Sequence, residues 1–248
     1  MTKILIQVYS DLHIELMNNF PHVKPTAKYL FLVGDICKLN HPLFFKFFDY
    51  CSPLWEKIFY IPGNHEFYFK KKNYEELNFE YNLKFRERYK NIFYLNRNSA
   101  PLNDEIDIYG CVFWTCSYNS ALNDYREINQ FSEKKKYNIP IDYSFMKKLS
   151  EEDLKSISNY LNQTTKKTII MTHFPPLQEG TSNPTYNSQS QALKDLNLNN
   201  TPLWLSGHTH WSYDIMYNNT RLLSNQLGYE REYNLTNIIE DGLFEINI

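Results

Sequence analysis

Short runs of β-branched and aromatic residues recur along the chain, and most of them stop at a glycine or a polar residue. Runs of this kind are typical of buried strands. Seven of them predict strands: Ile4–Tyr9, Tyr29–Val33, Ile58–Ile61, Ile92–Leu95, Ile106–Phe113, Thr168–Met171 and Leu203–Leu205. Amphipathic stretches of helical length lie between several of these runs: Pro42–Trp55, Tyr74–Tyr89 and Ser150–Asn162. Strands that alternate with helices predict an α/β fold.

The last third of the chain has a different pattern. Three strand-like runs, Tyr213–Tyr217, Arg221–Ser224 and Leu243–Ile248, follow one another without a helix between them. The first two are joined through the turn 218–220, which is typical of a hairpin. We therefore expect a second sheet that is rich in antiparallel pairing.

Other local signals set boundaries. Ser150 is followed three residues later by Asp153, which predicts that the third helix begins there. Two segments, 115–145 and 174–191, lack a regular pattern and predict irregular loops or a lid near a site, because long loops in compact domains are often functional. The length of 248 residues predicts a single domain over residues 1–248.

Charge and cysteine content limit the possible partners and the compartment. The net charge of -2 gives no basic excess, so neither a nucleic-acid face nor contact with an anionic membrane is predicted. No run approaches the roughly 20 apolar residues that span a bilayer, and the first residues form a strand rather than a signal peptide. The four cysteines form no CxxC pair, which is typical of a reducing compartment. These features together predict a cytoplasmic protein.

Polar residues with catalytic potential follow the predicted strands. Five fragments occupy such positions: Asp11-Leu12-His13, Gly34-Asp35, Gly63-Asn64-His65-Glu66, Thr172-His173 and Gly207-His208-Thr209-His210. The ends of strands in an open α/β fold aim short polar side chains into one crevice. A strand-end hydrogen bond or a surface turn would explain each fragment alone. Five fragments at five strand ends together indicate a site.

In this order the fragments resemble the sequence blocks of the calcineurin-like metallophosphoesterase superfamily. The opening Ser10-Asp11-Leu12-His13-Ile14-Glu15 is similar to the cytosolic bacterial-type branch, whose members begin Ser-Asp-Leu-His-Leu-Glu. The resemblance implies a four-layer α/β/β/α sandwich with two packed mixed β-sheets and a dimetal site at the carboxyl ends of the strands. It also implies a phosphoesterase that uses a metal-activated hydroxide.

Matching the blocks one by one implies two sets of metal ligands. The first ion would be held by four side chains: Asp11, His13, Asp35 and His210. The second ion would be held by another four: Asp35, Asn64, His173 and His208. Asp35 would bridge the two ions with its two carboxylate oxygens. Imidazole and carboxylate ligands suit Mn, Fe, Zn or Ni, and we expect two divalent ions with Mn first among the candidates.

The resemblance further implies that His65 is the catalytic residue that gives a proton to the leaving oxygen. General acid catalysis of this kind contributes about 10²–10⁴-fold to a rate. Glu15 and Glu66 are expected to support the ligands through hydrogen bonds to histidine rings or to the backbone. Sequence alone does not assign those pairs.

Departures from the superfamily's subgroups narrow the substrate. Lys38 stands where purple acid phosphatases carry tyrosine, and the segment 34–40 lacks the longer block of protein Ser/Thr phosphatases. His65 stands where the lipid-A-pathway hydrolases carry arginine. A phosphodiester or a small phosphomonoester remains, with a nucleotide-type substrate favoured.

Substrate contacts are assigned to Arg126, Tyr125 and Tyr229, although core packing is the stronger interpretation for an aromatic residue such as Tyr125. Two alternatives stay open at this point. One is a catalytically silent binding scaffold of the same fold, and the other is a nuclease, which would need a basic or aromatic path for a strand. The oligomeric state stays open as well.

Overall fold

A computed structural model describes residues 3–116, 119, 121–178, 193–233 and 236–247. The strands of this part of the chain are β1 Lys3–Tyr9, β2 Tyr29–Val33, β3 Lys57–Ile61, β4 Ile92–Tyr94, β5 Asn98–Pro101, β6 Ile106–Cys111, β7 Asn129–Ser132, β8 Tyr137–Pro140, β9 Lys167–Thr172, β10 Leu203–Ser206, β11 Tyr213–Tyr217, β12 Thr220–Ser224 and β13 Leu243–Asn247. Its α-helices are α1 Phe44–Cys51, α2 Tyr74–Arg88, α3 Asp124–Glu127 and α4 Tyr143–Gln163. Short 3-10 turns occupy Ile14–Leu16, His65–Phe67 and Glu230–Glu232.

The first sheet has the strand order β13-β1-β2-β3-β4. Strands β1 to β4 run parallel, and β13 pairs with β1 in the antiparallel sense. The central strands are apolar at nearly every position, which is expected when both faces of a parallel sheet are covered. The carboxyl ends of β1, β2 and β3 therefore lie at the same edge of this sheet.

The second sheet has the order β11-β12-β10-β9-β6-β5. The pairs β11/β12 and β6/β5 are antiparallel, whereas the three central pairs are parallel. The expectation of an antiparallel-rich second sheet was thus wrong for its centre, and the last predicted strand, as β13, joins the first sheet instead. Strands β9 and β10 are parallel neighbours in the middle of this sheet, so their carboxyl ends also lie side by side.

The two mixed sheets pack face to face with helices outside them, which confirms the four-layer α/β/β/α sandwich. Apolar side chains of both sheets form the central core: Ile6, Val8, Phe31, Val33, Phe59, Ile61, Ile108, Ile169, Met171, Leu203 and Leu205. The outer face of the first sheet packs against α1 and α2 through Phe44, Phe48, Leu77 and Phe85. The outer face of the second sheet packs against α4 through Ile157 and Leu161. No helix in the described ranges is both long and apolar enough to cross a membrane.

Two local predictions require correction, and one strand was missed. Helix α4 begins at Tyr143 rather than at Ser150, because the Asp142 side chain accepts a hydrogen bond from the Phe145 backbone N–H and caps it there. The segment 115–145 is not irregular throughout, since it contains α3 and the hairpin β7–β8. The edge strand β5 follows β4 closely and was not predicted. Of the segment 174–191, residues 179–191 lie outside the described residues.

Candidate metal centre

Several of the residues that follow the strand ends have a left-handed backbone conformation. Five of them have positive φ without being glycine: Asp11 at 56°, His13 at 46°, Asp35 at 52°, His208 at 74° and His210 at 54°. This left-handed conformation is costly for residues with a Cβ atom, and such strain persists where the surrounding structure over-determines it, typically at functional sites. The fold thus holds these turns so that short side chains point inward at one place.

Two glycines allow the turns to approach one another. A Cβ atom on Gly63 would lie 2.2 Å from Asp35 Oδ1, and one on Gly207 would lie 2.1 Å from Ser10 Oγ and 2.7 Å from Asp11 Oδ2. No side chain fits at those separations, so glycine is required there by close approach.

The first predicted ligand set comes together. Asp11, His13 and His210 each offer a ligand atom, and these atoms lie within 4.8 Å of one another. The Nε2 atoms of His13 and His210 are 3.0 Å apart, and His210 Nε2 is 3.5 Å from Asp11 Oδ1. Asp35 Oδ2 lies 4.0 Å from His13 Nε2. Carboxylate oxygens and ring nitrogens therefore face a common point.

The second predicted ligand set comes together beside it. Asp35, His173 and His208 form another group with ligand atoms within 4.8 Å. His173 Nε2 lies 3.4 Å from Asp35 Oδ1 and 3.0 Å from Asn64 Oδ1. Asp35 thus directs one oxygen toward each set, so its carboxylate lies between them.

The hydrogen bonds of His173 test whether a cation fits. Its Nδ1 contacts the Val33 carbonyl oxygen at 3.0 Å, and because a carbonyl only accepts, Nδ1 carries the proton. In the neutral ring, Nε2 then presents a lone pair to Asp35 Oδ1 and to Asn64 Oδ1. The Asn64 amide faces this way because its Nδ2 donates to Tyr68 and Asp124. Converging acceptors repel one another unless a proton or a metal cation lies between them, so the donor set fits a divalent ion.

Protonation states without a metal follow the same reasoning. Burial disfavours the charged ring of His173, but the Asp35 and Asp11 carboxylates outweigh burial and raise its pKa to about 10. Burial likewise opposes charge on His210, yet its hydrogen bond to Asp11 raises the pKa to about 9. Burial and then the charge on His173 lower the pKa of His208 to about 3. Protons on His173 and His210 thus take the place of cations among the carboxylates.

The two aspartates respond in the opposite direction. Burial alone would raise the pKa of Asp35, but the neighbouring charges of His173 and His65 hold it well below its usual value. For Asp11, burial is likewise outweighed by the hydrogen bond to His210 and the charge of His173, which lower its pKa. Both groups are therefore carboxylates at neutral pH, as metal ligands must be.

His65 lies at the edge of the cluster rather than within either ligand set. Its Nδ1 is 2.9 Å from Glu15 Oε1, while its Nε2 points to the interior, 3.9 Å from Asp35 Oδ2 and 3.4 Å from the Tyr229 hydroxyl. Burial lowers its pKa, but the Asp35 charge and the Glu15 hydrogen bond raise it overall. The raised pKa favours the protonated ring, in which Nε2 carries an N–H toward the ligand sets. Glu15 Oε1 also lies 3.6 Å from Nδ1 of His13.

Glu66 holds the turn that carries Asp35. Its side chain is fully buried, and it accepts hydrogen bonds from the backbone N–H groups of Asp35, Ile36 and Gly63 at 2.7–3.0 Å. The Tyr60 hydroxyl donates a further bond to it at 3.0 Å. Burial and the Asp35 charge raise the pKa of Glu66 to about 8. Its supporting role through the backbone, expected from sequence, is confirmed.

Sequence reasoning missed several residues that orient the ligands. Glu232 Oε2 lies 2.6 Å from His210 Nδ1 and also accepts from the Tyr229 backbone N–H. The Tyr68 hydroxyl donates a hydrogen bond to Asp124, and both side chains accept hydrogen bonds from Asn64 Nδ2. The fragment Asp124-Tyr125-Arg126 also resembles the bacterial-type branch, and that resemblance could have pointed to Asp124, whereas nothing in the sequence marks Glu232. Such partners fix the ring and amide orientation of metal ligands.

The three predicted substrate contacts differ in position. Tyr229 lies at the cluster, with its ring centroid 4.6 Å from those of His13 and His210. Arg126 directs its guanidinium to the Ala121 carbonyl and the Asn123 side chain of its own loop. Tyr125 is partly buried against the core beside the first sheet. The structure therefore brings Tyr229 to the cluster and shows no contact of Arg126 with it among the described residues.

Comparison with known proteins adds to this geometry. The family model of the calcineurin-like phosphoesterases matches residues 4–212 of this chain. Uncharacterized protein L509 of Acanthamoeba polyphaga mimivirus is 30% identical over 264 aligned residues, which cover 93% of each chain. Among solved structures, phosphopantetheinyl hydrolase (PptH) from Mycobacterium tuberculosis superposes with a TM-score of 0.70 at 15% identity, covering 98% of this chain and 96% of that one. TT1561 of Thermus thermophilus does so with a TM-score of 0.57 at 12% identity, covering 91% and 90%.

Proposed function

Because the chain belongs to the calcineurin-like phosphoesterase family, we propose that it hydrolyses phosphoesters with two divalent metal ions at this centre. The observation that carries the proposal is the position of Asp35. Its two oxygens lie 3.4 Å from a nitrogen of one ligand set and 4.0 Å from a nitrogen of the other. A carboxylate in that position can bridge two ions, which is the arrangement that in-line displacement at phosphorus uses.

The residues that would hold the ions fall into two sets. One ion would be held by Asp11, His13, Asp35 and His210. The other would be held by Asp35, Asn64, His173 and His208. When bound, two such ions activate a water and neutralise charge on the phosphoryl oxygens. Nitrogen and oxygen donors of this kind suit Mn, Fe, Zn or Ni, and Mn is our first candidate.

His65 would act on the leaving group. In hydrolysis a water oxygen forms a new bond to phosphorus, the bond from phosphorus to the ester oxygen breaks, and that oxygen takes a proton. The His65 ring is held through Nδ1 by Glu15, so Nε2, which faces the ligand sets beside the Tyr229 hydroxyl, is the atom that would deliver the proton. The attacking water loses a proton in the same reaction, so the proton balance closes when His65 is protonated again. The Asp35 charge and the Glu15 hydrogen bond raise the pKa of His65, which favours the protonated ring.

The substrate class follows from what the sequence excludes. The missing features of the purple acid and Ser/Thr protein phosphatase subgroups leave phosphodiesters and small phosphomonoesters. We favour a nucleotide-type substrate among these, since the aromatic Tyr229 stands beside the cluster, where a base or another ring could pack.

A direct test compares bis-p-nitrophenyl phosphate with p-nitrophenyl phosphate as substrates, with Mn²⁺ and after chelation. We expect metal-dependent release of p-nitrophenolate from at least one of the two. Turnover that survives complete chelation would contradict a metal-dependent reaction. The test is then extended to a panel of nucleotides and phosphosugars. If elemental analysis finds two bound ions and no substrate is turned over, the result would favour the silent scaffold.

A further inference from the structure

A cavity of about 700 Å³ adjoins the metal centre. Its lining comes from the turn after β1 and from the loop around the last 3-10 turn, and it includes Leu12, His13, Leu16, Met17, Tyr229 and Tyr233. Binding sites for small molecules commonly enclose roughly 300–1,000 Å³. The space is therefore large enough for an organic group the size of a nucleoside.

The cavity shares walls with the cluster. His13 belongs both to the first ligand set and to the lining. Tyr229 packs its ring against His13 and brings its hydroxyl to 3.4 Å from His65 Nε2. The cavity thus lies on the side of the cluster where His65 would protonate the departing oxygen. A group attached to that oxygen would extend into it.

Apolar and aromatic side chains supply somewhat more than half of the surface that the lining offers. Leu12 is buried, whereas Met17 is half-buried and Tyr233 is exposed among the residues of the lining. Leu16 is 65% exposed, which is high for a large apolar side chain. An exposed apolar side chain beside a polar cluster is a favourable contact for an apolar ligand, because its burial would release water from both surfaces.

The charges at the rim do not offer a free cation. Arg231 places its Nε 3.7 Å from Glu232 Oε1 and lies 5.7 Å from the Tyr229 ring centroid. Glu230 is the carboxylate of the lining itself, and with Glu232 just outside the lining two acidic groups surround the one arginine. Because acidic groups outnumber the arginine here, a polyphosphate group would gain little from it and would be repelled by the carboxylates.

We propose that this cavity binds the leaving alcohol of the ester and selects a neutral, apolar or aromatic group over a polyphosphate. The proposal rests on the proposed hydrolysis, since the cavity is assigned by its position beside His65. In the reaction, the bond from phosphorus to the alcohol oxygen breaks while water supplies the new oxygen on phosphorus. The alcohol, protonated by His65, then remains in the cavity until it dissociates.

The test compares two esters whose leaving groups have similar acidity but different apolar area, phenyl phosphate and 2-naphthyl phosphate. Inorganic triphosphate, whose leaving group is pyrophosphate, is the polyanionic comparison. Leu16→Glu should lower kcat/KM for the naphthyl ester about tenfold more than for the phenyl ester, because the larger ring loses more apolar contact. The matched control is Leu83→Glu on α2, where Leu83 is 45% exposed and does not line the cavity. That control should leave the ratio of the two esters unchanged.

A binding measurement separates this inference from the hydrolysis itself. Saturation-transfer NMR of 2-naphthol with the metal-free protein should show contact that Leu16→Glu abolishes and Leu83→Glu retains. If the esters are hydrolysed but Leu16→Glu changes neither their ratio nor the NMR contact, the cavity proposal is wrong while the proposed function stands. If triphosphate is the better substrate, the stated selectivity is wrong. If no ester is hydrolysed with both ions bound, the proposed function fails. If 2-naphthol still contacts Leu16 in that case, the cavity binds an apolar group for another purpose, and the proposal that it holds the leaving alcohol is wrong as well.

Discussion

Asp35 is held both through its backbone and through its carboxylate. Its backbone has a φ of 52°, its backbone N–H donates to Glu66, and its Oδ1 accepts from the His65 backbone N–H at 2.8 Å. These contacts fix the carboxylate before any cation arrives. A ligand held in this way loses little conformational entropy on binding a metal, which favours affinity. The residue that would bridge two ions is thus also a firmly held one.

Substitutions at Asp35 and His65 should therefore separate metal binding from proton transfer. Asp35→Asn removes the charge shared by both ligand sets, so we expect metal affinity to fall by more than about 100-fold, since even supporting residues are worth roughly 10–100-fold. His65→Ala should keep both ions and lower kcat by about 10²–10⁴-fold. Elemental analysis of the purified variants and steady-state rates measure the two effects.

His22→Ala is the matched control for these variants. His22 packs against Phe20 and Tyr50, away from the ligand sets, so its loss should leave metal content and rate near those of the unchanged protein. Loss of an ion from His65→Ala would make His65 a ligand rather than an acid. The ligand atoms of His65, His13 and Glu15 lie within 4.8 Å of one another, so the geometry allows His65 to bind an ion and the variant tests this directly.

Sequence predicted which side chains meet, because each ligand belongs to a short contiguous block at a strand end. It could not predict what holds them. Glu232 reaches His210 from 22 positions away, and Asp124 reaches Asn64 from 60 positions away. A hydrogen bond between distant segments leaves no local pattern, so these partners become visible only when the sheets bring the segments together.

Helix α4 shows why an element boundary was misplaced. Ser150 and Asp153 have the spacing of an N-terminal cap, yet Asp153 has another role: it is fully buried, pairs with Arg97 at 2.5 Å and accepts from the Trp114 backbone N–H. The cap is Asp142 instead. A local signature was outweighed here by a tertiary contact that ties the helix to the second sheet.

The position of this cap leads to a prediction about stability. Asp142→Ala removes the acceptor for the Phe145 N–H and should lower the free energy of unfolding by about 1 kcal/mol, within a range of roughly 0.5–2. Asp142→Asn keeps a side-chain oxygen there and should cost much less. Urea denaturation followed by circular dichroism measures both. Equal losses in the two variants would mean that charge, rather than the hydrogen bond, stabilises this end of α4.

The α/β character and most strand positions could be predicted because buried strands are uniformly apolar in this chain. The missed elements are those with a weak apolar pattern. Strand β5 is mostly exposed and reads Asn98-Ser99-Ala100-Pro101, and the hairpin β7–β8 lies at the surface with Phe131 and Tyr137 exposed. Edge strands of this kind are specified by pairing rather than by burial. The place of β13 in the first sheet likewise depends on pairing with β1, which periodicity does not reveal.

At the scale of the whole molecule, the site lies where the two sheets meet. Val33 at the end of β2 in the first sheet offers its carbonyl oxygen to His173 after β9 in the second, and Asp11 after β1 accepts from the His208 backbone N–H after β10 at 3.0–3.1 Å. Each proposed ion would thus have ligands from both sheets. Metal binding should stabilise the packing of the two sheets as well as the local turns.

This arrangement predicts that metal binding is coupled to proton release. In the metal-free protein His173 and His210 have pKa values of about 10 and about 9, so both rings are charged at neutral pH. A metal binds the neutral ring, so loading both sites at pH 7.5 should release about two protons, and affinity should rise as the pH increases toward 9. Without metal, the stability of the fold depends on pH in the opposite direction. The raised pKa values of His173 and His210 stabilise the fold fully below about pH 6.5, and that contribution is lost as the pH rises through 9 to 10.

Calorimetric titration of Mn²⁺ in buffers with different ionisation enthalpies measures the released protons, and thermal unfolding with and without metal measures the stabilisation. A metal at 100 times its Kd should add about 2.7 kcal/mol to the free energy of unfolding. His22→Ala should release as many protons as the unchanged protein, because its ring lies apart from the ligand sets. Binding enthalpies that are identical in all buffers would mean that no proton leaves, and the charged histidines would then have to lie outside the coordination of the ions.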